Sequence, residues 1–254
     1  MVGVAFFGLG MGRGRRLFAR GVSATMKGKR VCGRDERMWK RIYHTLERTF
    51  PSFTVDEWWG VTDPFARMAG SVLVQNTTWI NASKALDRLK EAGLLEPAAL
   101  AGETVERLAE VIRPAGFQRA KSAALLRLAG WVVEHGGVDR LRRLTDSTDE
   151  LRRQLLLLKG IGPETADTIL AYALTRPTIS GDAYTRRLWQ RLTGEVLSYE
   201  QVRRAILAEL TEAEDLRRLH GLIVEHGKAI CAKRLPRCSA CLFADDCRYL
   251  HDSI

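Results

Sequence analysis

The sequence predicts an all-α protein. Apolar residues recur at three- and four-residue spacing through nearly the whole chain, no long run alternates in the strand period, and helix-start residues head one segment after another. The start signals are Asp63 followed by Pro64, Thr104 before VERLAEVI, Ser147 with Glu150 as a capping box, and Ser198 with Gln201 as another. Between these signals helices are expected over about 35–56, 64–75, 79–91, 97–101, 104–112, 118–135, 137–143, 148–158, 163–174, 183–193, 199–210 and 214–226. No repeat of the length that builds a solenoid is visible.

The first residues, MVGVAFFGLGMGRGRRLFARGVSATMKGKR, place an apolar patch before their arginines, the reverse of a secretory signal's order. Residues 1–33 read as a disordered basic leader, with Met26 as a second possible start. The glycines of GLGMGRG do not fit the G-x-G-x-x-G phosphate cradle. Lys and Arg total 40 against 30 Asp and Glu, a net charge of +10 that suits a polyanionic partner without identifying one. Every apolar run is interrupted well short of the roughly 18–20 residues of a membrane span, which predicts a soluble chain.

Breakers at Pro114-Ala115-Gly116 and Arg176-Pro177 divide the middle of the chain. The second, followed by TISGD, is the best boundary between a central helical domain and a C-terminal part that carries the cysteines. At LLLLKGIGPETADTILAYAL the pattern is helix, tight turn, helix. Gly160 and Gly162 let the backbone bend beside Ile161, and Pro163 opens the next helix, so the turn is either a plain helical hairpin or an anion site at a helix start. Asp182, in SGDAYTRRLWQRL, reads as a helix N-cap followed by Arg186, Arg187 and Arg191. If that helix end lines a cleft, the carboxylate faces whatever enters.

Four of five cysteines fall near the C-terminus, at Cys231, Cys238, Cys241 and Cys247, spaced C-x6-C-x2-C-x5-C, while Cys32 stands alone. This clustering argues for a local metal site in a reducing cytoplasm rather than a disulfide framework. Four thiolates in so short a loop suit either tetrahedral zinc or a [4Fe–4S] cube, and spacing alone does not choose. Lys233, Arg234 and Arg237 lie between or beside the first two cysteines, where a metal-stapled loop would present them to phosphates.

Together LKGIGPETADTIL, RPTISGDAYTRRL and HGKAICAKRLPRCSACLFADDC, in this order and spacing, resemble the helix–hairpin–helix DNA glycosylases of the endonuclease III type. Looser similarity extends through GFQRAKSAALL and AGSVLVQNTTW, and the leader lies outside it. The resemblance implies a six-helix barrel domain over 57–177, with the hairpin at about 148–174, and a [4Fe–4S] cluster domain from 34–56 plus 178–254, held by the four cysteines. It implies a monomeric base-excision-repair enzyme acting on double-stranded DNA with a damaged base, cytoplasmic and nucleoid-associated in a bacterium. Gly160, Ile161 and Gly162, with the neighbouring Lys159, would hold the phosphate backbone.

By the same resemblance Asp182 takes the catalytic aspartate's position, where a carboxylate stabilises an oxocarbenium-like sugar. Gln75 matches the residue that fills the gap left by a flipped base, its bland alternative being a helix-end amide. Phe117 matches a wedge against the opposite strand, its alternative being a buried loop anchor. The sequence departs from the family pattern at Glu164, where bifunctional members carry the lysine that forms a Schiff base. A carboxylate cannot form an imine, so the resemblance implies a monofunctional glycosylase with weak or absent lyase activity. Glu164 is then either a pocket residue or simply an acid favoured by the helix dipole. Lys121 and Lys228 match no catalytic position. The alternatives are a bifunctional enzyme acting on oxidised pyrimidines and a non-catalytic DNA-binding Fe–S protein. VQNTTW and the lost lysine are also similar to the branch that removes alkylated purines.

Overall fold

A computed structural model describes residues 37–252. The leader at 1–33, Cys32 and the first residues of the expected 34–56 segment lie outside the described residues. Among those described the chain is helical throughout and contains no strand.

The expected first helix is two. α1 (Met38–Thr49) and α2 (Val55–Trp59) are separated by Phe50-Pro51-Ser52-Phe53, since Pro51 breaks the ladder of backbone bonds and Thr54 caps α2 by accepting from Glu57 N–H. α3 (Pro64–Leu73) starts where expected, with Asp63 accepting from Ala66 N–H at 2.6 Å. α4 (Trp79–Glu91), α5 (Pro97–Ala101) and α6 (Val105–Val111) follow, α6 capped by Thr104. α7 (Gln118–Glu134) is the long helix against which α5 and α6 pack, and α8 (Val138–Arg143) follows it.

α9 (Thr148–Leu157) and α10 (Pro163–Thr168) form the hairpin. Ser147 caps α9, but the Glu150 carboxylate bonds Arg153 and Gln154 instead of completing the capping box. α10 is shorter than the pattern suggested: after Thr168 the helix widens into a π turn, Ile169–Ala173. Beyond TISGD, α11 (Ala183–Thr193) is capped by Asp182, and α12 (Tyr199–Leu207) by the full Ser198–Gln201 box. α13 (Ala213–Ala229) runs up to the first cysteine, short 3₁₀ turns carry the cysteine loop, and α14 (Arg248–Asp252) follows.

Two apolar cores result, both within one compact unit that begins at Arg37. One is built from Phe65 to Leu174, centred on α3, α7 and the π turn. The other joins Trp39, Ile42 and Leu46 of α1 to residues from Ile179 to Phe243. A small aromatic cluster of Trp59 and Tyr172, with Trp58 and Trp79 packed against it, forms a third.

Candidate active site and cysteine loop

The hairpin turn depends on its first glycine. Gly160 adopts φ +101°, where side chains are disfavoured, and a Cβ there would stand 2.8 Å from Ala124 Cβ. Gly162 is the N-cap of α10 and supplies no side-chain cap, so the helix start is open. The turn is anchored from below by Asp167, fully buried. Its Oδ1 accepts from Arg152 Nε (2.9 Å), Thr178 Oγ1 (2.9 Å) and Arg203 Nε (3.2 Å), and its Oδ2 from Arg152 Nη2 (3.0 Å) and Tyr199 OH (2.8 Å). This network ties α10 to α9, α12 and the TIS segment.

Gln75, Gly160, Ile161, Gly162 and Glu164 line one groove. Gln75 follows α3 and donates to Gly160 O (3.1 Å) and Thr165 Oγ1 (2.8 Å), so the amide is fastened to the hairpin. Lys159 is exposed on the turn. Phe117 is not a buried anchor: the residue is 66 % exposed, with φ +49°, at the start of α7. Lys121 is buried beneath it, donating to Leu73 O (2.8 Å) and Ala115 O (2.7 Å), and burial lowers its pKa.

Asp182 is buried at the head of α11. Gly181 precedes it at a close approach that admits no side chain, since a Cβ would meet Tyr199 O at 2.4 Å. Asp182 Oδ1 accepts from Thr185 N–H (2.8 Å) and Thr185 Oγ1–H (2.9 Å), and Oδ2 lies 3.4 Å from His220 Nε2. Burial alone would raise its pKa, but His220 and the Thr185 donors outweigh burial and hold the carboxyl below its usual range. Glu164, on the first turn of α10, faces the opposite way electrostatically: partial burial and the Asp182 charge raise its pKa, against the lowering influence of His220 and Arg186. The charge of the capping acid is thus felt at the hairpin acid.

The sequence reading missed the aromatic wall of this site. Tyr172, on the π turn, donates to Arg217 O (3.0 Å) and lies 2.7 Å from His220 Nδ1. Trp58 presents its ring edge-on to His220, with centroids 6.2 Å apart, and donates Nε1–H to Glu225 (2.9 Å). Lys228 pairs with the same Glu225 (3.0 Å) and stands 5.8 Å from the Trp58 ring. The only local signal was composition: WW in α2, and a Tyr and a His inside apolar helical stretches.

Cys231, Cys238, Cys241 and Cys247 are free and line a single cavity with Arg191. Burial and then the other three cysteines raise the pKa of Cys241. Arg191, buried, organises the loop, donating Nη1 to Cys231 Sγ (3.0 Å), Cys231 O (3.1 Å) and Ala232 O (2.9 Å), and Nη2 to Lys233 O (3.2 Å). Lys233 and Arg234 are exposed, whereas Arg237 turns back to cap α13 through Ala229 O. No three His, Cys, Asp or Glu among the described residues are grouped to hold a single metal ion.

Residues 69–212 match the HhH-GPD superfamily base excision DNA repair proteins. A Methanocaldococcus jannaschii protein provisionally named a DNA repair glycosylase is 33 % identical over 216 residues, spanning 84 % of this chain and 98 % of that one. Endonuclease III of Thermotoga maritima is 29 % identical, spanning 74 % of this chain and 84 % of its own. Among solved structures, H. pylori 3-methyladenine DNA glycosylase bound to 1,N6-ethenoadenine superposes with a TM-score of 0.66 at 27 % identity, covering 75 % of this chain and 97 % of that one. An endonuclease III–DNA complex superposes at 0.71 with 21 % identity, covering 86 % and 97 %, a likeness of fold. No helix among the described residues is long and apolar enough to cross a membrane.

Proposed function

The chain belongs to the HhH-GPD superfamily of base-excision-repair DNA glycosylases, and from that premise we propose that it releases a damaged base by hydrolysis and leaves the strand uncut. The observation that carries this reading is that neither Glu164, at the head of the hairpin helix, nor Asp182, capping α11, is an amine, while the Asp182 charge is felt at Glu164. Two nearby lysines are engaged elsewhere, Lys121 donating to two backbone carbonyls and Lys228 pairing with Glu225, while Lys159 is exposed on the turn.

In the proposed mechanism the target nucleotide is rotated out of the duplex because its glycosidic bond is unreachable within the stack. As the C1′–N bond breaks, its electron pair leaves with the base and positive charge builds on the sugar. The ionised Asp182 stabilises that charge at close range. Water then bonds to C1′, its proton passing to Asp182 or to solvent, and an abasic site is the product. Gln75 and exposed Phe117 would occupy the duplex on either side of the gap, and the open start of α10, with Lys159, would hold phosphate. Lys233 and Arg234 would add backbone contacts, and Arg237 a weaker one since its guanidinium already caps α13.

The Asp182 carboxylate, beside a His220 that touches Tyr172 and Trp58, favours a base that carries positive charge, which points to alkylated purines over oxidised pyrimidines. The likeness to a 3-methyladenine glycosylase supports the same class.

The two cores support a division into a domain over 57–177 and another formed by 34–56 plus 178–254, with the site where they meet. Four thiols around one cavity fit a [4Fe–4S] cluster with one corner for each, held in register by Arg191. Such a cluster, when bound, would supply a structural tie with redox capability, and no step above uses it. About four irons per chain and a band near ~400 nm are expected, against a colourless zinc protein.

A panel of duplexes carrying uracil, thymine glycol, dihydrouracil or 3-methyladenine tests the activity. Base release with strand breakage only after alkali supports the reading. Efficient borohydride trapping that survives Lys228→Ala and Glu164→Ala would place an amine in the mechanism, and no release from any duplex would leave a binding protein.

A further inference from the structure

The segment after α3 that carries Gln75 and the turn that carries Phe117 are far apart in the chain, and one buried side chain joins them. Lys121, in the first turn of α7, donates from Nζ to Leu73 O at 2.8 Å and to Ala115 O at 2.7 Å. Each accepting carbonyl stands two residues ahead of a residue that the proposed function sends into the duplex. Both lie at helix ends, Leu73 closing α3 and Ala115 closing a 3₁₀ turn. Thr77 N–H, which would reach Leu73 O if α3 continued, bonds Val74 O instead. Nζ carries at least two protons whether charged or neutral, enough for both carbonyls, so the tie does not depend on its charge. Each segment also turns on a non-glycine residue in the left-handed region, Asn76 at φ +53° directly after Gln75 and Phe117 itself at φ +49°. Such backbone persists only where its surroundings fix it. Lys121 supplies that fixing from below, with Nζ 6.0 Å from the centre of the Phe117 ring.

We propose that Lys121 is the positioning residue that sets the spacing between Gln75 and Phe117, so that the two enter the DNA as one frame around the extruded nucleotide. This rests on the reading that Gln75 and Phe117 enter the duplex. Two loose segments would have to be ordered at every encounter with a lesion, and a preset spacing removes that entropic cost. The Gln75 amide is fastened on its far side to Gly160 O and Thr165 Oγ1, so the frame runs from Phe117 through Lys121 and Gln75 to the hairpin turn. Lys121 itself touches neither the open start of α10 nor the exposed Lys159. Its loss should therefore lower discrimination between damaged and intact DNA rather than general affinity for phosphate.

The test uses the full chain and a duplex bearing a tetrahydrofuran abasic analogue beside 2-aminopurine, whose fluorescence rises when stacking is lost and which needs no chemistry at Asp182. In the parent, Gln75→Ala and Phe117→Ala should each reduce the rise. If neither does, the insertion reading fails before Lys121 is reached. Lys121→Met keeps the length of the stem and removes both donors. It should lower the ratio of affinities for the analogue duplex over an undamaged one by about tenfold, with affinity for the undamaged duplex within about twofold of the parent's. On that background Phe117→Ala should cost much less than it does in the parent, because the frame is already undone. Parental discrimination in the folded variant overturns the proposal, as does an equal loss on both duplexes, which a merely structural lysine would give, or full additivity with Phe117→Ala. Should Lys121→Met fail to fold, Lys121→Gln, whose amide stem is one bond shorter, is read by the same three outcomes.

Discussion

Two helix starts meet at the site and they are built in opposite ways. α10 opens on Gly162 with no side chain across its end, whereas α11 is closed by Asp182, whose Oδ1 takes both Thr185 donors. An open start leaves backbone N–H groups for an outside anion. A closed start fixes a carboxylate in place and leaves its second oxygen beside His220. The proposed function uses the difference by giving phosphate to the hairpin and sugar chemistry to the cap.

The largest effect should come from breaking the closed start. Asp182→Asn retains the cap geometry but not the charge, so single-turnover base release should fall by about 10²–10³-fold while DNA affinity stays near the parent's, as read by fluorescence anisotropy. Next is the anchor under the open start. Asp167→Ala leaves Arg152 and Arg203 facing a buried void, and should destabilise the fold by about 3–5 kcal/mol in denaturant titrations. Gly160→Ala forces a side chain into φ +101° against Ala124, at a cost of about 1–3 kcal/mol. Its DNA affinity should drop with little change in the rate of base release from bound DNA. Lys159→Ala should lower the slope of log affinity against log salt by about one, if that lysine contacts a phosphate.

The smallest effect tests Glu164. Its pKa is raised in the folded protein, so the unfolded chain releases this proton more readily, and ionisation costs stability as pH rises past the ordinary carboxylate range. Glu164→Gln should raise the melting temperature slightly at neutral pH, by about 2 °C or less given how accessible the side chain is, and the gain should vanish in acid.

Much of this comparison was legible in the sequence. Asp63, Thr104, Ser198 and Asp182 cap the helices their positions suggested, because capping is local chemistry between residues three apart. The glycine turn was legible for the same reason. Pro51 was passed over because apolar spacing continues across it, and the π turn has no spacing of its own. The partners of Asp182 were invisible for a different reason. His220 and Tyr172 are 48 residues apart, and Trp58 is farther still, so only folding brings an imidazole, a phenol and an indole together. The cysteines were plain as a cluster, while Arg191, which seats the first of them, looked like one arginine among several.

The central claim is that Asp182 removes the base and that Glu164, standing where bifunctional relatives keep an amine, leaves the strand intact. It is tested most directly by incubating the protein with a labelled duplex carrying its preferred lesion, with and without alkali, alongside a borohydride-treated sample. The account predicts abasic strands that break only after alkali, and no covalent adduct. Strand breakage in untreated samples together with a borohydride-trapped protein–DNA complex would contradict it.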